Sequence, residues 1–440
     1  MKPTPPELTG RPLLGHILEF RQDRQALFKR GYETLGPIFS IKLLNKPAVV
    51  VIDPDYQQQF FAETDKKLSS DKAYSFLRAM FGEAALTAPP EKYYEQRPIL
   101  YAPFKGEKMA SYLCVMQEEV QFWLDSLGDS GEFELVSTLT KLIQNVAAHA
   151  LMGKAFRDQL GDEFWAQYTI LSQSLDPLLP PNLPLPKFYR RDQAKRRLYA
   201  MLQELIEERR AHPEQYDDFL QEFINAKYKD GRPAGDDLII RLVMGLMFAG
   251  HETTVGQTAW TIIQLLQNPD YLQIVKTELA ENLPPSREID NRVLNNLEHV
   301  GWAVQETTRM HPSADIVMRV VNEEIEFGDY RVPPGWLVFT AAGTAHRRPD
   351  LFADPDSYDP LRFAPGRAED RQHRFAMIGF GGGMHKCAGM NFANNEMMII
   401  TSLLFQQFDL QLITEDIQTI YGIGAARPDR TLVSYQRKSV

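Results

Sequence analysis

The sequence predicts a mainly α-helical fold with a minor β portion, organised as one domain over residues 1–440. Its β-rich part is expected at about 36–70 and 315–345. Three observations lead there. From about Lys92 onward, apolar residues recur at three-and-four spacing. Strand-like runs are short and confined to a stretch near the N-terminus, one after residue 314 and the tail. No linker, repeat or low-complexity segment divides the chain.

Taken in order, the opening is proline-rich and extended to about Pro12. Residues 38–52 read as two short strands around an Asn-Lys-Pro turn, and 108–127 and 136–152 as amphipathic helices. Residues 175–188 carry too many prolines for a helix and read as a loop, with helix resuming at 192–210. Asp236–Gln267 is the longest helical stretch, opened by Gly235-Asp236 and closed by Asn268-Pro269. Its first half is apolar nearly all round, which predicts a central buried helix. Helices follow at 271–282 and 292–310. Residues 324–340 read as strand, turn and strand, 349–379 as a long loop region, and 390–408 as a last helix before short terminal strands.

Composition narrows the function. The 440 residues are 44% hydrophobic and 24% charged, a globular balance and not a disordered one. A formal charge of −10 argues against general nucleic-acid binding. Two cysteines, Cys114 and Cys387, cannot form a disulfide framework or a zinc finger, which favours a reducing compartment. No secretory-type start is present, and Arg241 and His251-Glu252-Thr253-Thr254 interrupt the long helix, so no transmembrane anchor and a cytoplasmic location are expected.

Three constellations carry chemistry. In Phe380-Gly-Gly-Gly-Met-His385-Lys-Cys387-Ala-Gly389 a glycine-rich loop presents one cysteine just before a helix. A helix N-terminus and loop amides stabilise a thiolate, and such a thiolate suits a haem iron. The bland alternative is a buried structural cysteine. In Ala249-Gly-His-Glu252-Thr253-Thr254 an acid and an alcohol interrupt an apolar helix. They read either as a proton relay or as a threonine bonded back to the preceding turn. No second histidine follows His251 at the zinc-protease spacing. Glu306 and Arg309 share a helix face, and Arg362 offers a second arginine to the same glutamate.

In this order and at these separations, the motifs resemble the cytochrome P-450 haem-thiolate monooxygenases, over nearly the whole chain. The resemblance implies haem b (iron protoporphyrin IX) with Cys387 as axial iron ligand and Phe380, Gly381, Gly389 and Ala249 around it. It implies Arg97, Arg319 and His385 as propionate partners, with Tyr93 beside them. It implies Glu252 and Thr253 as the proton-delivering pair and Glu306, Arg309 and Arg362 as a structural triad. The substrate pocket would draw on Tyr74, Met80, Phe81, Leu86, Met247, Phe248, Ala314, Ile316, Val317, Met318 and Ile423, each of which is equally ordinary as core.

The chain also resembles bacterial-type sterol 14α-demethylases, in residues 74–83, 151–160 and 247–251. It departs from them at Thr87-Ala88, where their loop motif ends in an aromatic-aspartate pair, and at Glu252, where they carry histidine. The implied reaction inserts one oxygen atom from O2 into a C–H bond of a lipophilic substrate (sterol, terpenoid, retinoid or fatty acid). Electrons would come from NAD(P)H through a reductase and a ferredoxin or flavodoxin, received on Lys105, Lys108, Arg371, Arg374 and Lys386. A sterol 14α-demethylase proper, a peroxide-using haem-thiolate enzyme and a haem-based ligand sensor remain open as alternatives.

Overall fold

The computed structural model describes residues 1–176, 179–284 and 288–439. A five-stranded sheet lies toward the N-terminal side. Its strands are β1 (Ile38–Leu43), β2 (Lys46–Val51), β3 (Leu68–Ser69), β4 (Ile316–Val321) and β5 (Leu337–Ala341), in the order β1-β2-β5-β4-β3. Only β2 and β5 run parallel, with Val49 opposite Val338. Successive residues of β4 face opposite sides of this sheet. Ile316 and Met318 join the cluster of Phe28, Phe39 and Phe339, while Val317 joins that of Phe60, Phe61 and Phe327.

The helices that frame the site are α1 (Gly106–Ser126), α2 (Leu135–Met152), α3 (Pro186–Ala211), α4 (Asp236–Gln267), α5 (Glu298–Met310) and α6 (Met390–Gln407). Helix α4 runs through the middle of the largest core, packed on α2, α5 and α6. Gly235 is extended at its start, Asp236 and Asp237 complement the dipole of the first turn, and Pro269 opens the next helix beyond its end. It is long and apolar enough to cross a membrane, but its second half, from Thr254 to Leu265, is buried in protein.

Three boundaries differ from the sequence reading. The proline-rich loop ends at Leu185, because Pro186 occupies the first turn of α3, where no amide hydrogen is needed. The helix expected at 292–310 is two helices, Asn291–Asn296 and α5, broken at Leu297. The buried Glu278 carboxylate accepts the amides of His299 (2.7 Å) and Val300 (3.0 Å) and so caps the second helix from outside. Residues 324–340 contain one more turn than expected: Ile325–Phe327 and Tyr330–Val332 pair about Gly328, and Pro333-Pro334-Gly335 then leads into β5. The N-terminal helices Ile17–Gln22, Arg24–Leu35 and Pro54–Ala62 had no counterpart in the sequence reading.

Candidate haem site

Behind the cysteine loop, Glu306 on α5 holds two arginines. Arg309 donates to both its oxygens (2.8 Å each), and Arg362 donates to Oε1 (3.1 Å). All three side chains are fully buried. The excess positive charge is met by Glu369, which accepts from Arg362 at 2.7 Å, and by the carbonyls of His346 and Pro355, which accept from Arg309. Burial and the Arg309 charge push the His346 pKa down to about 3. Its Nε2 accepts the Ile378 amide at 2.8 Å, which requires a neutral ring, and Nδ1 faces the Arg309 carbonyl at 3.2 Å. The Ile378 carbonyl in turn accepts from Gly381. A continuous set of hydrogen bonds thus runs from the triad into the loop. Sequence reasoning missed Glu369 and His346; neither sits in a recognisable motif.

The loop places its cysteine through backbone geometry. Gly381 (φ 69°) and Gly383 (φ 64°) lie in the left-handed region. A Cβ on Gly382 would stand 2.8 Å from both Phe61 and Phe375. The Cys387 amide donates to the Phe380 carbonyl at 3.0 Å, and the Gly389 amide hydrogen-bonds the Cys387 sulfur just ahead of α6. Cys387 is accessible, yet its surroundings are dry enough for burial to push the thiol pKa up, against the Gly389 amide and the Lys386 charge.

Accessibility returns in the middle of α4. Ala249 and Gly250 are exposed although Met247 and Thr254 beside them are buried. A Cβ on Gly250 or Gly245 would meet nothing within 4 Å. Thr253 donates to the Ala249 carbonyl at 2.7 Å, the back-bonded state. The Glu252 carboxylate is directed at Gly424, where a Cβ would lie 2.9 Å from it. His251 packs against Trp165, and burial pushes its pKa down to about 4.

Two guanidiniums at this site have no carboxylate within salt-bridge distance among the described residues. Arg97 Nε is buried without a partner, its guanidinium 4.4 Å from the Tyr101 ring centre. Arg319 is 1% exposed and donates to Thr64 Oγ1 (3.2 Å) and the Met318 carbonyl (2.7 Å). Burial draws its pKa down. His385 is placed differently: its Nε2 lies 2.6 Å from Asp65, a residue the sequence reading did not single out. Asp65 has a left-handed φ of 66°. Tyr93 stacks on His385 at 4.1 Å and donates to the Met384 carbonyl at 2.8 Å.

An accessible thiol, an open stretch of buried helix and two unpaired arginines suit a flat apolar group bearing carboxylates. The family model for cytochrome P450 matches residues 5–430. The chain belongs to the cytochrome P450 family. A sterol 14α-demethylase of Mycolicibacterium vanbaalenii is 31% identical over 100% of this chain and 99% of its own. The human lanosterol 14-alpha demethylase is 30% identical over 97% of this chain and 85% of its own. The solved structure of a retinoic acid-bound cyanobacterial CYP120A1 superimposes with TM-score 0.89, at 27% identity and full coverage of both chains. This P450 is therefore a haem-binding monooxygenase.

The expected substrate residues of this P450 do not form one group. Met80, Phe81 and Met247 belong to the buried core, with Phe81 5.4 Å from Phe248. Val317 faces away from Ile316 and Met318. Tyr74 accepts the Met318 amide at 3.2 Å. Leu86 and Ala314 are half-buried, and Ile423 is exposed at the tip between Thr419–Tyr421 and Ala426–Pro428.

Proposed function

We propose that this P450 inserts one oxygen atom from O2 into a C–H bond of an elongated lipophilic substrate, with electrons from NAD(P)H through separate redox proteins. The observation that carries this reading is the accessible Cys387 thiol at the head of α6 together with the opened middle of α4. Residues 1–440 act as one haem domain. When bound, haem supplies the oxygen-activating and electron-accepting chemistry. Cys387 would be its ligand; the Gly389 amide and the α6 N-terminus favour the thiolate, against the burial that pushes the thiol pKa up. Arg97 and Arg319 take the propionates, with His385 and Tyr93 alongside. Phe380, Gly381, Gly389 and Ala249 border the ring. Glu252 and Thr253 move protons toward the reacting oxygen.

Exposed Lys105, Arg371, Arg374 and Lys386 suit an acidic ferredoxin or flavodoxin. Lys108 contributes less, because it is paired with Asp217 and Glu222. Two free thiols agree with a reducing, cytoplasmic setting.

The second reading is sterol 14α-demethylation, favoured by the relatives. Against it, the Thr87 hydroxyl is spent on its own loop, bonded to the carbonyls of Gly82 (2.7 Å) and Ala84 (2.8 Å). The retinoic acid in the structural neighbour favours a slender molecule instead. A Soret titration of the ferric protein decides between them. A high-spin shift with a long-chain fatty acid or retinoid supports the proposal; a shift with lanosterol alone supports the second reading.

A further inference from the structure

Resting on the lipid-oxidising reading above, we propose that Lys195 and Arg241 anchor the carboxylate of an elongated amphipathic substrate. Its apolar chain would lie along α4 toward Ala249. The first observation is a stripe. Arg241, Gly245, Phe248, Ala249 and Glu252 are four, seven, eight and eleven residues apart, so they share one side of α4. The space beside Gly245 is open. Arg241 thus stands one turn beyond the open space, roughly 12 Å along the axis from Ala249 at 1.5 Å per residue.

The second observation is charge. Helix α3 turns Arg191, Ala194, Leu198 and Leu202 inward, and Lys195 lies beside that stripe, half-buried. Cations on an inward helix face are uncommon unless paired. Lys195 Nζ donates to the Ala79 carbonyl at 2.9 Å, has no carboxylate within 4 Å among the described residues, and has Arg241 and Arg191 as like-charged neighbours. Burial, and then those neighbours, pull its pKa down, while Asp192 and Asp237 act the other way.

Arg241 packs on Gly82, where a Cβ would approach its guanidinium to 2.4 Å, and its Nε is buried without a partner. Among the described residues its only ion pair, 2.8 Å to Asp237, is with a carboxylate 62% exposed to solvent. Asp192, within electrostatic reach of Lys195, is held by Arg191. On its outer side Arg241 lines an open polar cleft of about 290 Å³, where Lys92 is paired with Glu83 and Arg232 with Glu95. In this proposal the head group settles beside Arg241 at the edge of the cleft, and its tail lies in the space beside Gly245. A lipid carboxylate matches this asymmetry; a sterol, with a neutral hydroxyl at its polar end, leaves both cations unmatched.

The test is equilibrium binding of palmitate and methyl palmitate to the haem-loaded protein, read as the ferric Soret shift, in wild type, Lys195→Met and Arg241→Met. A thiolate-type ferrous–CO band and an unaltered melting temperature show that each variant is folded. Wild type is expected to bind palmitate about tenfold more tightly than the ester, as one charge-assisted contact allows. Each variant should erase most of that ratio. Equal affinity for acid and ester in wild type, or a ratio that survives both substitutions, overturns the anchor while leaving the lipid reading intact. Lanosterol shifting the band when neither palmitate nor its ester does overturns the acyclic-lipid reading, and the anchor with it.

Discussion

The two sides of the site handle buried charge in opposite ways. Behind the cysteine loop, Glu306, Arg309, Arg362 and Glu369 satisfy one another and neighbouring carbonyls at zero or near-zero exposure. Toward the substrate side, Arg319, Arg97, Lys195 and Arg241 keep donors without a carboxylate, or with only an exposed one. A closed network is complete in the chain alone, so it serves the fold. On the proposed roles, the open donors are completed by something that arrives. The density of pairing around these arginines then differs between framework and ligand site, while burial alone does not separate Arg319 from the triad.

The sharpest way to break that distinction is to open the closed network. Glu306→Ala leaves Arg309 and Arg362 buried without their shared carboxylate, a change costing about 3–5 kcal/mol. That is a large part of a domain's stability. The expected outcome is little soluble protein and no thiolate-type ferrous–CO band. Normal yield and spectrum would mean the triad is not structural. Glu306→Gln should fall between, keeping an acceptor but losing the charge.

The next largest effect is spectral. Cys387→Ala should fold, since the loop is held by backbone bonds through Phe380, Ile378 and Gly381. Its ferrous–CO spectrum should lose the thiolate signature altogether. An unchanged Soret band in that variant sinks the ligand assignment.

Glu396 is the exception on the closed side, and it sharpens the comparison. It sits in α6, 3% exposed, with Oε1 unpartnered. Burial pushes its pKa up to about 8 from an ordinary 4.5. The folded state therefore keeps a proton that the unfolded chain releases above about pH 4.5. Stability should be highest below that pH, fall as pH rises toward 8 and level off beyond. Glu396→Gln should flatten this slope and raise the unfolding free energy more at pH 9 than at pH 5, by a few kcal/mol at most. An equal change at both pH values would mean the carboxyl is paired or already charged when folded.

Much of this was legible in the sequence because the decisive residues sit in short local patterns. Asp236–Gln267 shows its ends through Gly235 and Pro269, and the cysteine loop shows itself through glycines that its backbone geometry requires. The Glu306–Arg309 pair follows from helical spacing. What stayed hidden depends on contacts between distant segments. Glu278 splits a helix from 21 residues upstream, Asp65 takes the outer nitrogen of His385 across 320 residues, and Lys195 meets Ala79 across 116. The single basic residue in the apolar first half of α4, Arg241, was visible as an interruption. Its meaning depended on Gly82 and Lys195, which no periodicity in α4 encodes.

The smallest expected change in stability belongs to Thr253, and there the comparison reaches a residue that can serve both purposes. Its hydroxyl closes on the Ala249 carbonyl at 2.7 Å, a local bond worth about 1 kcal/mol or less. Thr253→Ala should therefore melt close to wild type. If the hydroxyl also turns to the reacting oxygen, the variant should release several-fold more hydrogen peroxide per NAD(P)H consumed, because protons arrive without a group to direct them. Thr253→Ser, which keeps the hydroxyl and loses only the methyl, should restore coupling. Unchanged coupling in Thr253→Ala assigns the hydroxyl to the helix backbone alone and leaves Glu252, directed at Gly424, as the group that handles the proton.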